Sequence, residues 1–305
     1  MHLSKRLYRS EDDYWRIRNF LREVFLLNGR REHSWHVARF DYWRWHLVQN
    51  LQVCGPFEQV VTLWEVDGQI AAVQQPDDWN ETRLHVHPHF CTPELEDEML
   101  AQAEAHLPRR DGAPILYVPV FSADLQRKQA LARRGYARQC GQVHHWSRDL
   151  DAPITEVPVA AGYTVRSMGD LSEHPARSWA SWRAFHPDEP DADYEGFSWY
   201  RNVQSAPLYC RDLDIVAAAP GGEIAAFCTI YYDDYTRSAV CVLVGTAAEH
   251  QRHGLGRAVM TEGLRRARAL GCTRMFANAY DPPADALYGS MLGSLELSET
   301  WSKAI

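Results

Sequence analysis

Apolar positions in the second half of the chain fall into short blocks of two periodicities. GYTVRSM (162–168) reads as a short strand, and HPARSWASWRAFH (174–186) and YEGFSWYRNV (194–203) repeat apolar residues at helical spacing. LDIVAAAPGGEIAAFCTIYY (213–232) predicts a hairpin turning at Pro220-Gly221-Gly222. SAVCVLVGTA (238–247) is an uninterrupted apolar run, the pattern of a strand buried on both faces, and it leads directly into EHQRHGLGRAVM (249–260). Residues 256–270 place Val259, Leu264, Ala267 and Leu270 on one helical face, and Gly271 stands where a left-handed C-cap stops a helix. TRMFANAY, ADALYGSML and LELSETWSKAI then predict strand, helix and strand.

The pattern occurs twice. DGQIAAV begins at Asp67 and GGEIAAF at Gly221, an offset of 154, while Trp146-Ser147-Arg148 matches Trp301-Ser302-Lys303 at 155. Between the halves, Pro153 and Pro158 oppose helix in a linker-like stretch. The expectation is an α/β (α+β) chain of two tandem domains, residues 1–154 and 155–305, each a mixed, mostly antiparallel sheet flanked by helices. At 305 residues the chain has room for two cores.

A net charge of -8 and a pI near 5.9 argue against a phosphate-backbone partner, so nucleic acid is not expected. The seven cysteines are scattered and never form a C-x-x-C pair; they read as reduced core fillers of a cytoplasmic protein. No apolar stretch approaches a membrane span, and the first residues carry no apolar signal region.

The stretch from Gln251 to Arg257 is the candidate site. After a buried strand, a loop low in side-chain bulk turns backbone N–H groups toward one point, and the positive end of the next helix adds attraction for a diphosphate. Gly254 and Gly256 remove Cβ atoms that would hold phosphates away, and Arg252 and Arg257 supply charge at the rim. Neither G-x-G-x-x-G nor G-x-x-x-x-G-K-[ST] is present.

Gln251, Gly254 and Gly256 after a buried strand, with ALYGSMLG downstream, resemble the [QR]-x-x-G-x-[GA] and A-x-x-L-Y-x-x-x-G-F elements of the GNAT acyl-CoA-dependent N-acyltransferases. Two such halves are similar to the mycothiol synthase-like tandem members of that family. The resemblance implies acetyl-CoA as co-substrate, no metal, and direct transfer of an acetyl group to a small-molecule or peptide amine. It implies that Val244, Gly245 and Thr246 pair with the pantetheine arm and that Asn278 contacts the arm from the next strand. Gln251, Arg252, His253, Gly254, Leu255, Gly256 and Arg257 would hold the pyrophosphate.

Tyr288 would face the thioester. Amine attack releases a thiolate, and a phenol with a pKa near 10 is suited to protonate it; an N–H near Thr246 would polarise the acyl carbonyl. The strand 238–247 holds no carboxylate to serve as base, where family members often carry a Glu. Asp233 and Asp234 are the nearest candidates, with a water chain as the alternative, although each reads better as a solvated turn residue. That gap leaves a second reading open, a non-catalytic acyl-CoA-binding or sensor protein.

In the first half, ETRLHVHPHFCTPELEDEML (81–100) occupies the place of strand, loop and helix, with Pro93 and carboxylates at Glu94, Glu96, Asp97 and Glu98 where amides would be needed. Carboxylates there would repel a diphosphate. Ala130-Leu131-Ala132 stands where Ala-Leu-Tyr stands in the second half, so this domain is expected to be degenerate and not to hold CoA. His85, His87 and His89 have a spacing that can ligate a metal, but half-exposed strand histidines are the better reading. Trp43 and Trp45 read as core and domain contact. The loop carrying Asp188, Glu189, Asp191, Asp193 and Glu195 beside Phe185, His186, Tyr194 and Trp199 reads either as a rim for a cationic amine or as a plain solvated loop.

Overall fold

The computed structural model describes residues 3–106 and 115–305. Among the described residues thirteen strands are formed: β1 Leu3–Leu7, β2 Thr62–Val66, β3 Gln69–Asp78, β4 Glu81–Val86, β5 Ile115–Phe121, β6 Ala137–Arg138, β7 Val143–Asp149, β8 Thr164–Ser167, β9 Tyr209–Ala218, β10 Ile224–Asp233, β11 Ser238–Thr246, β12 Arg274–Ala279 and β13 Ser294–Ala304. The chain divides into two compact units. The first comprises residues 1–43, 51–144 and 296–305, and the second residues 44–50 and 145–295. These bounds differ from a single cut near residue 155, because backbone pairing decides membership. β13 hydrogen-bonds to β5 from Ser298↔Phe121 to Ala304↔Ile115, so the end of the chain joins the first unit.

In the first unit the strand order is β1-β2-β3-β4-β5-β13, with β6 also on β13. Neighbours are antiparallel except β4 and β5. Helix Pro93–His106 lays Leu95, Met99, Leu100 and Ala103 on Trp64, Leu84, Val86, Leu116 and Val118. The amphipathic helix Glu11–Leu27 buries Tyr14, Ile17, Leu21 and Val24. Trp43 is buried and stacks on Phe40 and Phe57, as a core residue should.

In the second unit the order is β7-β12-β11-β10-β9-β8. The predicted hairpin is β9 and β10, with Gly222 at φ +93° in its turn. Helix Leu255–Ala269 packs Leu255, Val259, Leu264 and Ala267 on Ile215, Cys228 and Ile230. Gly263 allows that approach, since a Cβ there would lie 2.5 Å from Ile230 Cδ1.

Two helix expectations change. Leu270 is half exposed because it is the C-cap residue, beyond the last buried turn, and Gly271 takes φ +91° as expected. The helix over 194–203 shrinks to Trp199–Ser205, and Gly196 at φ +92° explains why residues 194–198 stay outside it. The cysteines are all free, but Cys91 and Cys140 are exposed and Cys210 half-buried, so core filling describes Cys54, Cys228, Cys241 and Cys272. No helix among the described residues is long and apolar enough to cross a membrane.

Candidate active site

β11 is paired unequally on its two sides. Its β10 side is paired from Ser238↔Asp233 to Thr246↔Ala226, whereas its parallel pairing with β12 covers Ser238↔Arg274 to Val240↔Phe276. Beyond Val240 the two strands part. A bulge sits at the parting, because Leu243 faces Thr229 while Cys241 faces Ile230, leaving Val242 as the extra residue. A bulge bends its strand and strengthens the local twist. An opening therefore forms between residues 241–246 of β11 and 277–279 of β12, with unpaired backbone along its β11 arm.

Val244, Gly245 and Thr246 are half-buried on that arm, and Asn278 is half-buried on the other. Gly245 has a packing reason: a Cβ there would meet Phe227 Cζ at 2.5 Å and Ala184 Cβ at 3.0 Å. Thr246 leads through Ala247 into the 3-10 turn Ala248–His250 and then the glycine loop. Arg252 and Gly254 both adopt left-handed backbone, φ +63° and +73°, and Gly254 is the N-cap of helix Leu255–Ala269. Among the described residues the N–H groups of residues 252–257 donate to no protein acceptor, and the first loop-to-helix bond is Ala258 N to the Gly254 carbonyl, 3.1 Å. Such a row at the start of a long helix has the geometry that suits an anion. Gly256 lies between the β11 arm and the helix Pro282–Met291, since a Cβ on it would stand 3.4 Å from Leu287 Cδ2 and 3.6 Å from Thr246 Oγ1. Arg252, His253 and Arg257 are exposed at the rim, while the Leu255 side chain is buried and leaves its N–H to the cradle.

Tyr288 lies on helix Pro282–Met291, whose N-terminus is capped by Asp281 accepting from Ala284 N at 2.8 Å. The ring is buried in the same cluster as Cys228 and Cys241, the latter being the first residue of β11 beyond the parting. Its hydroxyl makes no hydrogen bond among the described residues. Burial, then the Cys241 and Cys228 thiols, raise its pKa well above the usual phenol value, so the proton stays on.

Of the two suggested bases, Asp233 is fully buried and accepts from Thr236 N at 3.1 Å and Thr236 Oγ1 at 2.6 Å. It pairs with Ser238, at the opposite end of β11 from the glycine loop. Eight residues of strand put it roughly 25 Å away. Asp233 is the buried last residue of β10 rather than a solvated turn residue, and the exposed Asp234 opens the distant turn that follows it.

The acidic loop after helix His174–Phe185 is tied down. Arg183 reaches Asp191 at 3.3 Å and Glu249 at 2.7 Å, so it links this loop to the residue two positions before Gln251. Trp182 stacks on His186, centroids 4.2 Å apart, and His186 Nδ1 stands 2.9 Å from Glu189. Trp199 turns inward, donating to Ser178 Oγ at 2.7 Å. The Val242 bulge, Cys241 and the Arg183–Glu249 tie were missed in the sequence, since each depends on pairing between distant segments.

The first unit repeats the parting but fills it. β4 and β5 pair at Glu81↔Tyr117 and diverge beyond. Arg127 then donates to the Leu84 carbonyl of β4 at 2.8 Å and holds Glu96 with two bonds of 3.0 and 2.9 Å. Glu96 was read as a repelling carboxylate; it is buried and neutralised, and the guanidinium occupies the edge where an arm would pair. Glu98 accepts from Trp64 Nε1, and Asp97 stands 3.5 Å from Arg133. The histidine expectation changes as well. His85 and His87 are buried and His89 is exposed, because β4 ends at Val86 and Pro88 starts a 3-10 turn. Among the described residues no group of three His, Cys, Asp or Glu has metal-holding geometry.

Residues 175–293 match the acetyltransferase (GNAT) family profile. No curated protein matches the chain. Solved structures share its fold over nearly its whole length. A tandem GNAT protein from the clavulanic acid biosynthesis pathway, 16% identical, aligns with TM-score 0.65 over 99% of this chain and 98% of its own. A GCN5-related N-acetyltransferase from Sphaerobacter thermophilus, also 16% identical, aligns with TM-score 0.64 over 99% and 95%. A GNAT-family acetyltransferase from Colwellia psychrerythraea, 13% identical, aligns with TM-score 0.61 over 98% and 100%. Most of the second unit thus matches the acetyltransferase (GNAT) family profile, within a chain that has the fold of the tandem GNAT proteins.

Proposed function

We propose that the second unit transfers an acetyl group from acetyl-CoA to an amine by direct attack. The observation that carries this reading is the combination of unpaired amides at residues 252–257, the parted edge of β11, and a buried, protonated Tyr288. In this reading the pyrophosphate lies on residues 251–257, with Arg252 and Arg257 at the rim. The pantetheine arm adds to the unpaired edge at Val244, Gly245 and Thr246, with Asn278 on its other side. An N–H of β11 near the bulge polarises the thioester carbonyl. The amine attacks that carbon, and Tyr288 gives its proton to the departing thiolate. The amine's own proton leaves through water, since Asp233 is out of reach. The first unit binds no CoA in this reading, because Arg127 and Glu96 occupy its strand opening. The acceptor enters beside the loop tied by Arg183, where unpaired carboxylates such as Asp188 and Asp193 favour a cation.

The test is a panel of small-molecule amines and peptide N-termini assayed for release of free thiol from acetyl-CoA. Turnover on any amine that disappears in Tyr288→Phe supports the reading. Tight acetyl-CoA binding with no turnover on the whole panel overturns it in favour of an acyl-CoA sensor, which the absence of a carboxylate on β11 would then explain.

A further inference from the structure

Because no hydrogen bond holds the Tyr288 hydroxyl, its placement depends on how the helix Pro282–Met291 is held. Strand β7 grips that helix along one side. Trp146 donates from Nε1 to Asp285 Oδ1 at 2.8 Å, in the helix's first turn. The same indole lies over Gly289, where a Cβ would stand 3.0 Å from Trp146 Cζ2 and 3.1 Å from Cη2. Gly289 has ordinary helical backbone, so glycine is there to admit the indole and not to supply a turn. Two residues along β7, Arg148 donates from Nη1 to the Met291 carbonyl at 2.7 Å, in the helix's last turn. Trp146 and Arg148 are alternate residues of one strand and so share a face.

What this grip fixes is rotation about the helix axis. Asp285 and Gly289, four residues apart, lie on the side that meets the indole, and Tyr288 projects ~100° around the axis from Gly289. At a helix's outer radius of roughly 5–6 Å, a rotation of ~10° moves a group by about 1 Å. Misplacing a reacting group by that distance costs on the order of 10²-fold in rate.

The first unit supplies the contrast. Trp301 and Lys303 match Trp146 and Arg148 in the repeat, and Ala132 stands where Tyr288 does. Trp301 Nε1 donates to Glu299 on its own strand at 3.0 Å, and Lys303 Nζ donates to Glu104 at 3.1 Å. Among the described residues neither side chain bonds to helix Leu125–Arg133, which carries Ala132. The half that lacks the tyrosine lacks the grip.

We propose that Trp146 is a positioning residue for acetyl transfer: through Asp285 and Gly289 it sets the rotation of the helix that carries Tyr288, while Arg148 holds the helix's far end. The inference rests on the reading of Tyr288 as proton donor. It gives a strand from the first half of the chain a part in the chemistry of the second.

The test measures turnover of the full chain on an amine that it acetylates. Trp146→Phe keeps a ring over Gly289 and removes the indole N–H. Its kcat should fall about tenfold or more, while KM for acetyl-CoA and for the amine stays within about twofold. The deficit should shrink with a more acidic thiol ester, as for any misplaced proton donor. Asp285→Ala should reproduce the loss, and Asp285→Asn, which keeps an oxygen to accept the indole N–H, should recover most of it. On a Tyr288→Phe background Trp146→Phe should cost nothing further. If Trp146→Phe does not fold, the two Asp285 variants carry the test. The proposal is overturned if Trp146→Phe and Asp285→Ala keep wild-type kcat, if the loss falls on KM, if it recurs in full on the Tyr288→Phe background, or if Asp285→Asn is as slow as Asp285→Ala. Wild-type turnover in Tyr288→Phe alone is a separate failure, which removes the proton donor itself and the grip's purpose with it.

Discussion

Gly254 offers the sharpest test of the anion cradle, because its substitution separates conformation from crowding. It sits at φ +73°, and a Cβ built on it meets nothing within 4 Å. Gly254→Ala therefore adds no clash, and its whole cost is the left-handed backbone, roughly 1–2 kcal/mol for an L-residue. That energy has two outlets. If the loop keeps its shape, the second unit loses the full amount in stability, and its melting temperature falls by about 2–8 °C for a unit of this size. If the loop relaxes in the free protein, stability is spared, but CoA must restore the geometry on binding and its Kd rises by about 5–30-fold. Calorimetric titration with CoA and a thermal melt of the same sample measure both outlets, whose sum should come to about 1–2 kcal/mol. Gly254→Asn should lose less, because asparagine tolerates this region. Arg252, already at φ +63°, supplies the reverse control: Arg252→Gly should raise the melting temperature while removing a rim cation. If Gly254→Ala leaves the melting temperature within a degree and Kd within twofold, the loop is a pliable turn and the cradle argument fails.

Tyr288→Phe should cut turnover ~10²-fold or more with little change in acetyl-CoA affinity, and the deficit should shrink with a more acidic thiol ester; wild-type turnover would remove Tyr288 from the mechanism. Calorimetry of the wild-type chain should give one CoA per chain, and Glu96→Ala should lower stability by about 3–5 kcal/mol, since it leaves Arg127 as a buried charge without its carboxylate; two equivalent sites would refute the filled opening. Asp233→Asn should lower the melting temperature without altering kcat/KM, and a selective loss of turnover would restore it as a base. His85 has a folded pKa of about 3 against an ordinary value of 6.5, so the unfolded chain takes up a proton that the folded one refuses as pH falls below 6.5. Stability from this residue is complete above that pH and should decline toward pH 5 by up to ~1.4 kcal/mol per pH unit; His85→Phe, followed by denaturant unfolding, should flatten that slope.

Local features of this chain were legible in its sequence. Gly254 and Gly271 punctuate one helix at both ends; Gly271 adopts the left-handed backbone expected of a C-cap, and Gly254 adopts it as well, which the sequence did not announce. The hairpin at Pro220-Gly221-Gly222 was equally local. The parting of β11 from β12 was not legible, because SAVCVLVGTA carries no mark of where its parallel partner stops. Arg127 and Glu96 are 31 positions apart, and the reading of Glu96 as a repelling charge could not anticipate a guanidinium arriving from another helix. His85 and His87 looked half-exposed by alternation, but helices cover the face that alternation assigns to solvent.

The two Trp-Ser-basic segments that revealed the repeat end in exchanged places. Trp146 belongs to the second unit, while Trp301 pairs with Val118 in the first. On the ribosome this sets an order of events. The first unit's sheet cannot gain β13 until residues 296–305 have been synthesised, so the first unit waits on a segment made after the second. Closing β5 onto β13 spans more than half of the chain, a contact of high sequence separation and correspondingly slow formation. A chain stalled before residue 296 would expose the edge of β5 to other strands, an aggregation hazard out of proportion to the single strand it lacks.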